Sequence, residues 1–123
     1  MSSPLVAVVD DDASVRRALT RLFHSADLRV LTYASATEFL DSGLSTVPAC
    51  AILDIHLGGM SGLELLSRLR SSGSDLPVIV ITAHDDAQAR EAAARAGCAA
   101  YLRKPLDAKV LLEEVATAMK RAA

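Results

Sequence analysis

Aromatic residues make up only 3% of this chain, two Phe, two Tyr and no Trp, so its core has to be built from Val, Leu, Ile and Ala. A core of that kind suits a parallel sheet covered by helices. Basic runs are missing too: the 13 Lys and Arg are scattered and the net charge is -2, so the electrostatic footprint of a nucleic-acid binder is absent. No apolar stretch approaches the roughly 20 residues that span a bilayer, and Met1-Ser-Ser-Pro4 lacks a charged region followed by an apolar one. A cytoplasmic protein with no membrane partner is expected. The two cysteines, Cys50 and Cys98, have no C-x-x-C spacing, which favours reduced structural thiols over a disulfide or a metal pair. Glycine is absent from the turn after the first apolar run, where a dinucleotide-binding fold needs its phosphate loop; acids stand there instead.

What is present is a repeated design. Leu5 to Val9 is an apolar run that ends in Asp10-Asp11-Asp12, and Cys50 to Leu53 is another that ends in Asp54 before Gly58, Gly59 and Gly62. Pro77 introduces Val78 to Ile81, which ends in Thr82, and Ala99 to Arg103 ends in Lys104-Pro105. Runs this short read as strands covered on both faces. Arg29 to Tyr33 reads as one more. Between them lie helical patterns. The first carries Val15, Ala18, Leu19, Leu22, Phe23 and Ala26 inward, with Asp12 as its cap and Arg16, Arg17 and Arg21 outward. Ser35-Ala-Thr-Glu38 and Ser61-Gly-Leu-Glu64 are capping boxes. The helix from the first should stop at Gly43, and the helix from the second should bury Leu63, Leu66 and Leu69. Asp85 or Asp86 caps an alanine-rich helix that ends at Gly97, and Val110, Leu111, Val115 and Ala118 form the inner stripe of a last helix from about Asp107 to Arg121.

Five strands alternating with five helices at 123 residues predict a single domain over residues 1-123, a doubly wound parallel α/β sheet with no effector domain. Right-handed crossovers put every strand's carboxyl end on one edge, which is where open α/β sheets keep their sites. Asp54 is therefore expected to be displayed at that edge rather than buried, with Asp10, Asp11, Thr82 and Lys104 around it. Clustered carboxylates repel one another unless a cation neutralises them, and an all-oxygen donor set favours Mg²⁺. A lysine and a threonine hydroxyl beside them make a receptor for phosphoryl oxygens. The chemistry that fits is phosphoryl transfer onto Asp54, forming an acyl phosphate. Each residue also has a plainer reading: Asp10 to Asp12 as helix-capping acids, Lys104 as a surface lysine, His56 and His84 as solvated loop histidines, and Tyr101 as ordinary strand packing.

Taken together, Asp10-Asp11, the Leu53-Asp54-Ile55 segment, Gly59-Met-Ser-Gly-Leu-Glu64, Thr82-Ala83 and Lys104-Pro105 resemble the receiver domain of bacterial two-component response regulators. The likeness covers nearly the whole chain. It implies a flavodoxin-like strand order of 2-1-3-4-5, the order for which a chemotaxis receiver is a standard example. It further implies Asp54 as phosphoacceptor and Asp11 as a direct Mg²⁺ ligand, with Asp10 acting through a metal-bound water and the His56 backbone carbonyl completing the protein ligands. Thr82 and Lys104 would contact the phosphoryl group. Tyr101 falls at an aromatic switch position, and the side chains of His56 and His84 would flank the phosphoryl group and tune its lifetime. The implied partners are a sensor histidine kinase, an effector domain or downstream protein reached through the face of the fourth helix, fifth strand and fifth helix, and a phosphorylation-dependent homodimer. Tyr33 to Phe39 and Asp54 to Leu66 look most similar to receivers that precede LuxR-type DNA-binding domains. Gly58 departs from many of these, which have proline there, and leaves the loop more conformational freedom. Two other readings stand beside this one. One is a receiver-like interaction module that works without phosphate. The other is a haloacid-dehalogenase-type phosphohydrolase with Asp10 as nucleophile.

Overall fold

A computed structural model describes residues 3-42 and 47-122. The strands are β1 (Leu5–Val9), β2 (Arg29–Tyr33), β3 (Cys50–Asp54), β4 (Val78–Thr82) and β5 (Ala100–Arg103). The helices are α1 (Ala13–Ser25), α2 (Ala36–Asp41), α3 (Gly62–Ser71), α4 (Ala87–Arg95) and α5 (Ala108–Ala122). All strand pairs are parallel and the order is β2-β1-β3-β4-β5, as expected.

Alternation along each strand divides the core in two. Ala7, Val9, Ala51, Leu53, Val78 and Val80 face α2, α3 and α4, where they meet Phe39, Leu65, Leu66, Leu69 and Ala93. Val6, Val8, Cys50, Ile52, Ile79 and Ile81 face α1 and α5, where they meet Leu19, Phe23, Leu111, Val115 and Ala118. The central strands β1, β3 and β4 are buried throughout, which is why they read as unbroken apolar runs, whereas the edge strand β2 is largely exposed. Both cysteines are free; Cys50 is buried, and burial pushes its thiol up to about 12.

Caps hold the helices where polar side chains predict them. Asp12 accepts from the Ser14 amide at 2.8 Å, and Asp86, not Asp85, caps α4 by accepting from the Ala89 amide at 2.7 Å. Ser35 accepts from the Glu38 amide at 3.1 Å, but Glu38 reaches one residue further back than a standard box, to the Ala34 amide at 2.5 Å. Gly97, at φ +76°, ends α4, and the next amide, of Cys98, returns to the Ala93 carbonyl at 3.1 Å. The expected stop at Gly43 lies outside the described residues.

Several inward assignments differ. In α3 the buried stripe is Gly62, Leu65, Leu66 and Leu69, an i, i+3, i+4, i+7 set, and Leu63 sits on its flank, half-buried. In α5 Leu111, Val115 and Ala118 form the stripe, and Val110, about 100° round the helix from Leu111, is 40% exposed. Ala18 and Ala26 are exposed as well, while Arg16, expected to point outward, is half-buried.

Candidate functional site

Strand register assembles the site. Val9 pairs with Leu53, so the next residue of each strand, Asp10 and Asp54, stand side by side, and Asp54 pairs with Ile81 one step before Thr82. Thr82 in turn pairs with Arg103, one step before Lys104. The ladder continues past the strand ends, with the Asp10 amide donating to the Tyr33 carbonyl at 3.1 Å and the Lys104 amide to the Thr82 carbonyl at 2.8 Å. The carboxyl edge therefore stays extended and ordered where the functional side chains begin.

Lys104 Nζ lies 3.0 Å from Asp10 Oδ2 and 3.2 Å from Asp54 Oδ2, bridging two carboxylates that are 94 and 50 residues away in the chain. The other oxygens are engaged too: the Asp12 amide donates to Asp10 Oδ1 at 2.9 Å, and the His56 amide to Asp54 Oδ1 at 3.1 Å. Asp11 is exposed, and one carboxylate oxygen from each of Asp10, Asp11 and Asp54 lies within 4.8 Å of the others. The three consecutive acids thus divide their work. Asp12 caps α1, while Asp10 and Asp11 turn to Asp54, so capping alone does not account for the run.

Asp54 is 4% exposed and Asp10 fully buried, so the expectation of a displayed carboxylate was wrong. Ile55 and Leu57 are themselves buried, and the Gly62 amide bonds to the Ile55 carbonyl at 3.0 Å, folding the loop back over the strand end. Burial, and then the charge of Asp10, raises the Asp54 carboxyl above its usual range; the His56 amide and Lys104 offset part of that. For Lys104, burial acts downward, and the hydrogen bonds and charges of Asp10 and then Asp54 outweigh it, so its pKa rises. The site holds concentrated negative charge that one ammonium only partly neutralises. An all-oxygen donor set with this deficit fits a hard divalent ion.

Thr82 is fully buried. Its hydroxyl donates to the His84 carbonyl at 3.0 Å and accepts from the His84 amide at 3.0 Å, closing a local turn. His56 and His84 are exposed on neighbouring loops, their rings edge to face with centroids 5.2 Å apart. Tyr101 is half-buried against the α2–α4 side of the core, and its hydroxyl is buried without a hydrogen-bond partner. The Arg90 guanidinium lies 4.6 Å from the Tyr101 ring centroid and pairs with Asp85 at 2.8 Å. The phenol pKa is raised, by burial first and then by the nearby Asp85 charge.

The expected site residues Asp10, Asp11, Asp54, His56, Thr82, His84 and Lys104 therefore lie at one rim, whereas Tyr101 sits within β5, paired with Val80, and the site falls into two groups. By strand alternation Asp54 shares the face of Ile52, toward α1 and α5, whereas Thr82 shares the face of Val80 and Tyr101, toward α4. Three contributors were not foreseen. A Cβ on Gly62 would lie 2.1 Å from the Asp54 carbonyl oxygen, so α3 can start against β3 only with glycine there. Arg16 Nη1 donates to the Asp10 carbonyl at 2.7 Å, and the Asp85–Arg90 pair holds a cation over Tyr101. Arg16 is indistinguishable by pattern from Arg17 and Arg21, and only the glycine cluster around Gly62 gave any sign of its role.

The response regulator receiver domain family matches residues 6–116. Nodulation protein W of Bradyrhizobium diazoefficiens is 39% identical over 95% of this chain and 52% of its own length, and the transcriptional regulatory protein FixJ of Azorhizobium caulinodans is 38% identical over 96% and 56%. The chain spans about half the length of these relatives. Among solved structures, a response regulator receiver protein from Burkholderia phymatum is 46% identical with a TM-score of 0.84, covering 96% of both chains. A CheY-like receiver domain from Methanospirillum hungatei is 25% identical with a TM-score of 0.91, covering 98% of this chain and 96% of that one.

Proposed function

The chain belongs to the response regulator receiver family, and from that premise we propose that Asp54 is its phosphoacceptor, with Lys104, Thr82, Asp10 and Asp11 as the groups that make the transfer feasible. Receivers are phosphorylation-switched signalling domains of two-component systems rather than conventional enzymes. The observation that carries the assignment of Asp54 is the Lys104 ammonium held between Asp10 and Asp54 at 3.0 and 3.2 Å. It sets an ammonium against a sheltered Asp54 oxygen and so favours the carboxylate form that a nucleophile needs, against the opposing effects of burial and Asp10.

The phosphoryl donor is a phosphohistidine on a sensor kinase. An Asp54 carboxylate oxygen forms a bond to phosphorus while the P–N bond breaks, its electron pair staying on the imidazole nitrogen, which takes up a proton. Lys104 then turns from its carboxylate partners to a phosphoryl oxygen, a charge-assisted contact. Asp10, Asp11, Asp54 and the His56 carbonyl would hold Mg²⁺, with Asp10 acting through a water. When bound, the ion supplies charge stabilisation to the transferring group. Thr82 exchanges its His84 partners for a phosphoryl oxygen, and Tyr101 follows, remodelling the face of α4, β5 and α5 for an effector domain, a downstream protein or a second copy. His56 and His84, paired across the mouth, set how readily water reaches the acyl phosphate. Cytoplasmic residence accords with a kinase partner; among the described residues no helix is long and apolar enough to cross a membrane.

Intact-protein mass spectrometry after incubation with acetyl phosphate tests the assignment. One added phosphoryl group that requires Mg²⁺ and is absent from Asp54→Asn is expected. Modification that survives in Asp54→Asn would move the nucleophile, with Asp10 next in line as in the phosphohydrolase reading. Nothing in the family or its relatives favours that reading, or a module indifferent to phosphate.

A further inference from the structure

Tyr101 stands where the proposed switch needs a ring to move, yet its buried hydroxyl has no hydrogen bond of good geometry, and the polar group that acts on it is the Asp85 carboxylate. The restraint comes from outside. Arg90 of α4 lays its guanidinium 4.6 Å from the ring centroid, and a bond of 2.8 Å to Asp85 fixes that guanidinium. Asp85 follows His84 directly, and His84 is the residue whose amide and carbonyl are both bonded to the Thr82 hydroxyl at 3.0 Å. Thr82, His84, Asp85, Arg90 and Tyr101 thus form a continuous chain of contacts from the end of β4, through its loop and α4, to β5.

We propose that the Asp85–Arg90 pair is a latch that holds Tyr101 in its resting position and couples it to Thr82. When Thr82 turns to a phosphoryl oxygen it lets go of both His84 backbone groups. The segment carrying Asp85 is then free to shift, Arg90 loses the partner that fixes its plane, and the ring loses its cover. Arg90 is a positioning residue: it acts on the switch through Tyr101 and touches neither Asp54 nor Lys104. The inference rests on the reading of Asp54 and Tyr101 given above.

The chain's two tyrosines and lack of tryptophan make the test direct. The full chain labelled with 3-fluorotyrosine gives one fluorine resonance from Tyr101 and one from Tyr33, the latter an internal reference in β2 across the sheet. Arg90→Ala is compared with Arg95→Ala, which removes another arginine of the same helix, paired to Glu91 at 2.8 Å and not stacked on Tyr101. In Arg90→Ala the unphosphorylated Tyr101 resonance should move toward its phosphorylated wild-type position while Tyr33 stays, and phosphorylation by acetyl phosphate should be about two- to fivefold faster, the factor a surface cation–π contact corresponds to. Arg95→Ala should change neither. In the Thr82→Ala background Arg90→Ala should lose most of its effect on the rate, because the two residues act in one chain. If Arg90→Ala matches Arg95→Ala in both readouts while wild-type Tyr101 still responds to phosphorylation, the latch is refuted and the receiver assignment stands. If wild-type Tyr101 does not respond, or Asp54 takes no phosphoryl group, the reading beneath the latch fails and the latch with it.

Discussion

Replacing Lys104 with methionine tests the electrostatics of the site without any phosphoryl donor. The side chain is 20% exposed and its ammonium sits within 3.2 Å of two carboxylates exposed by 0% and 5%. Removing one partner of a buried ion pair costs about 3 to 5 kcal/mol, mostly for the charge left behind, and the residual exposure of Lys104 argues for about 3. With a urea slope of roughly 2 kcal/mol per molar, the unfolding midpoint should fall by about 1.5 M at pH 7. The pH dependence gives the sharper check. Asp54 has a folded pKa above its ordinary 3.8, so its contribution to stability is full below that value and is lost as pH rises through the folded value. Without Lys104 the folded value climbs further, so the deficit against wild type should shrink steadily between pH 7 and pH 4 as the carboxyl takes up its proton. Mg²⁺ at neutral pH should restore part of it, and Asp54→Asn added to Lys104→Met should do the same. A variant within about 1 kcal/mol of wild type at pH 7, or a deficit independent of both pH and Mg²⁺, would refute the idea that Lys104 acts by neutralising Asp10 and Asp54.

Gly62→Ala should lower stability by about 1 to 3 kcal/mol, measured by urea unfolding, because the new Cβ meets backbone atoms that cannot swing aside. Its phosphorylation rate should fall more than its stability implies, since the clash is with the Asp54 peptide itself. Thr82→Ala should still accept a phosphoryl group at Asp54 but lose the phosphorylation-induced NMR shifts of α4, β5 and α5, because a charge-assisted bond worth roughly 1.5 to 3 kcal/mol is gone; intact shifts would contradict the switch. Alanine variants of His56 and His84 should change the decay rate of the phosphorylated form, and unchanged decay in both would leave the pair as solvated loop residues.

Much of this architecture was legible because the sheet is buried on both faces. Four apolar runs could be read directly and the polar residue closing each marked the rim, while the exposed edge strand β2 gave a weaker signal. Burial at the rim was not legible, because it is made by residues distant in the chain: Lys104 and Asp10 approach Asp54 only once the parallel register exists. Helix faces failed where an apolar residue lay one position off the stripe. Val110 lies about 100° round the helix from Leu111, and Leu63 the same from Gly62, a rotation that composition does not reveal. Arg90 looked like an ordinary charge on an alanine-rich helix, since neither Tyr101 nor Asp85 lies at a helical spacing that would announce contact.

The alternation that splits the core also splits the site. Asp54 lies on the layer of α1 and α5, Thr82 and Tyr101 on the layer of α4, and one peptide plane of sheet separates them. On the proposed reading, the residue that takes the phosphoryl group and the residues that respond to it lie on opposite faces of the sheet and meet at its carboxyl edge. Residues beneath α1 and residues beneath α4 pack in separate clusters, so each layer can vary without repacking the other, while α5 belongs both to the first layer and to the proposed output face.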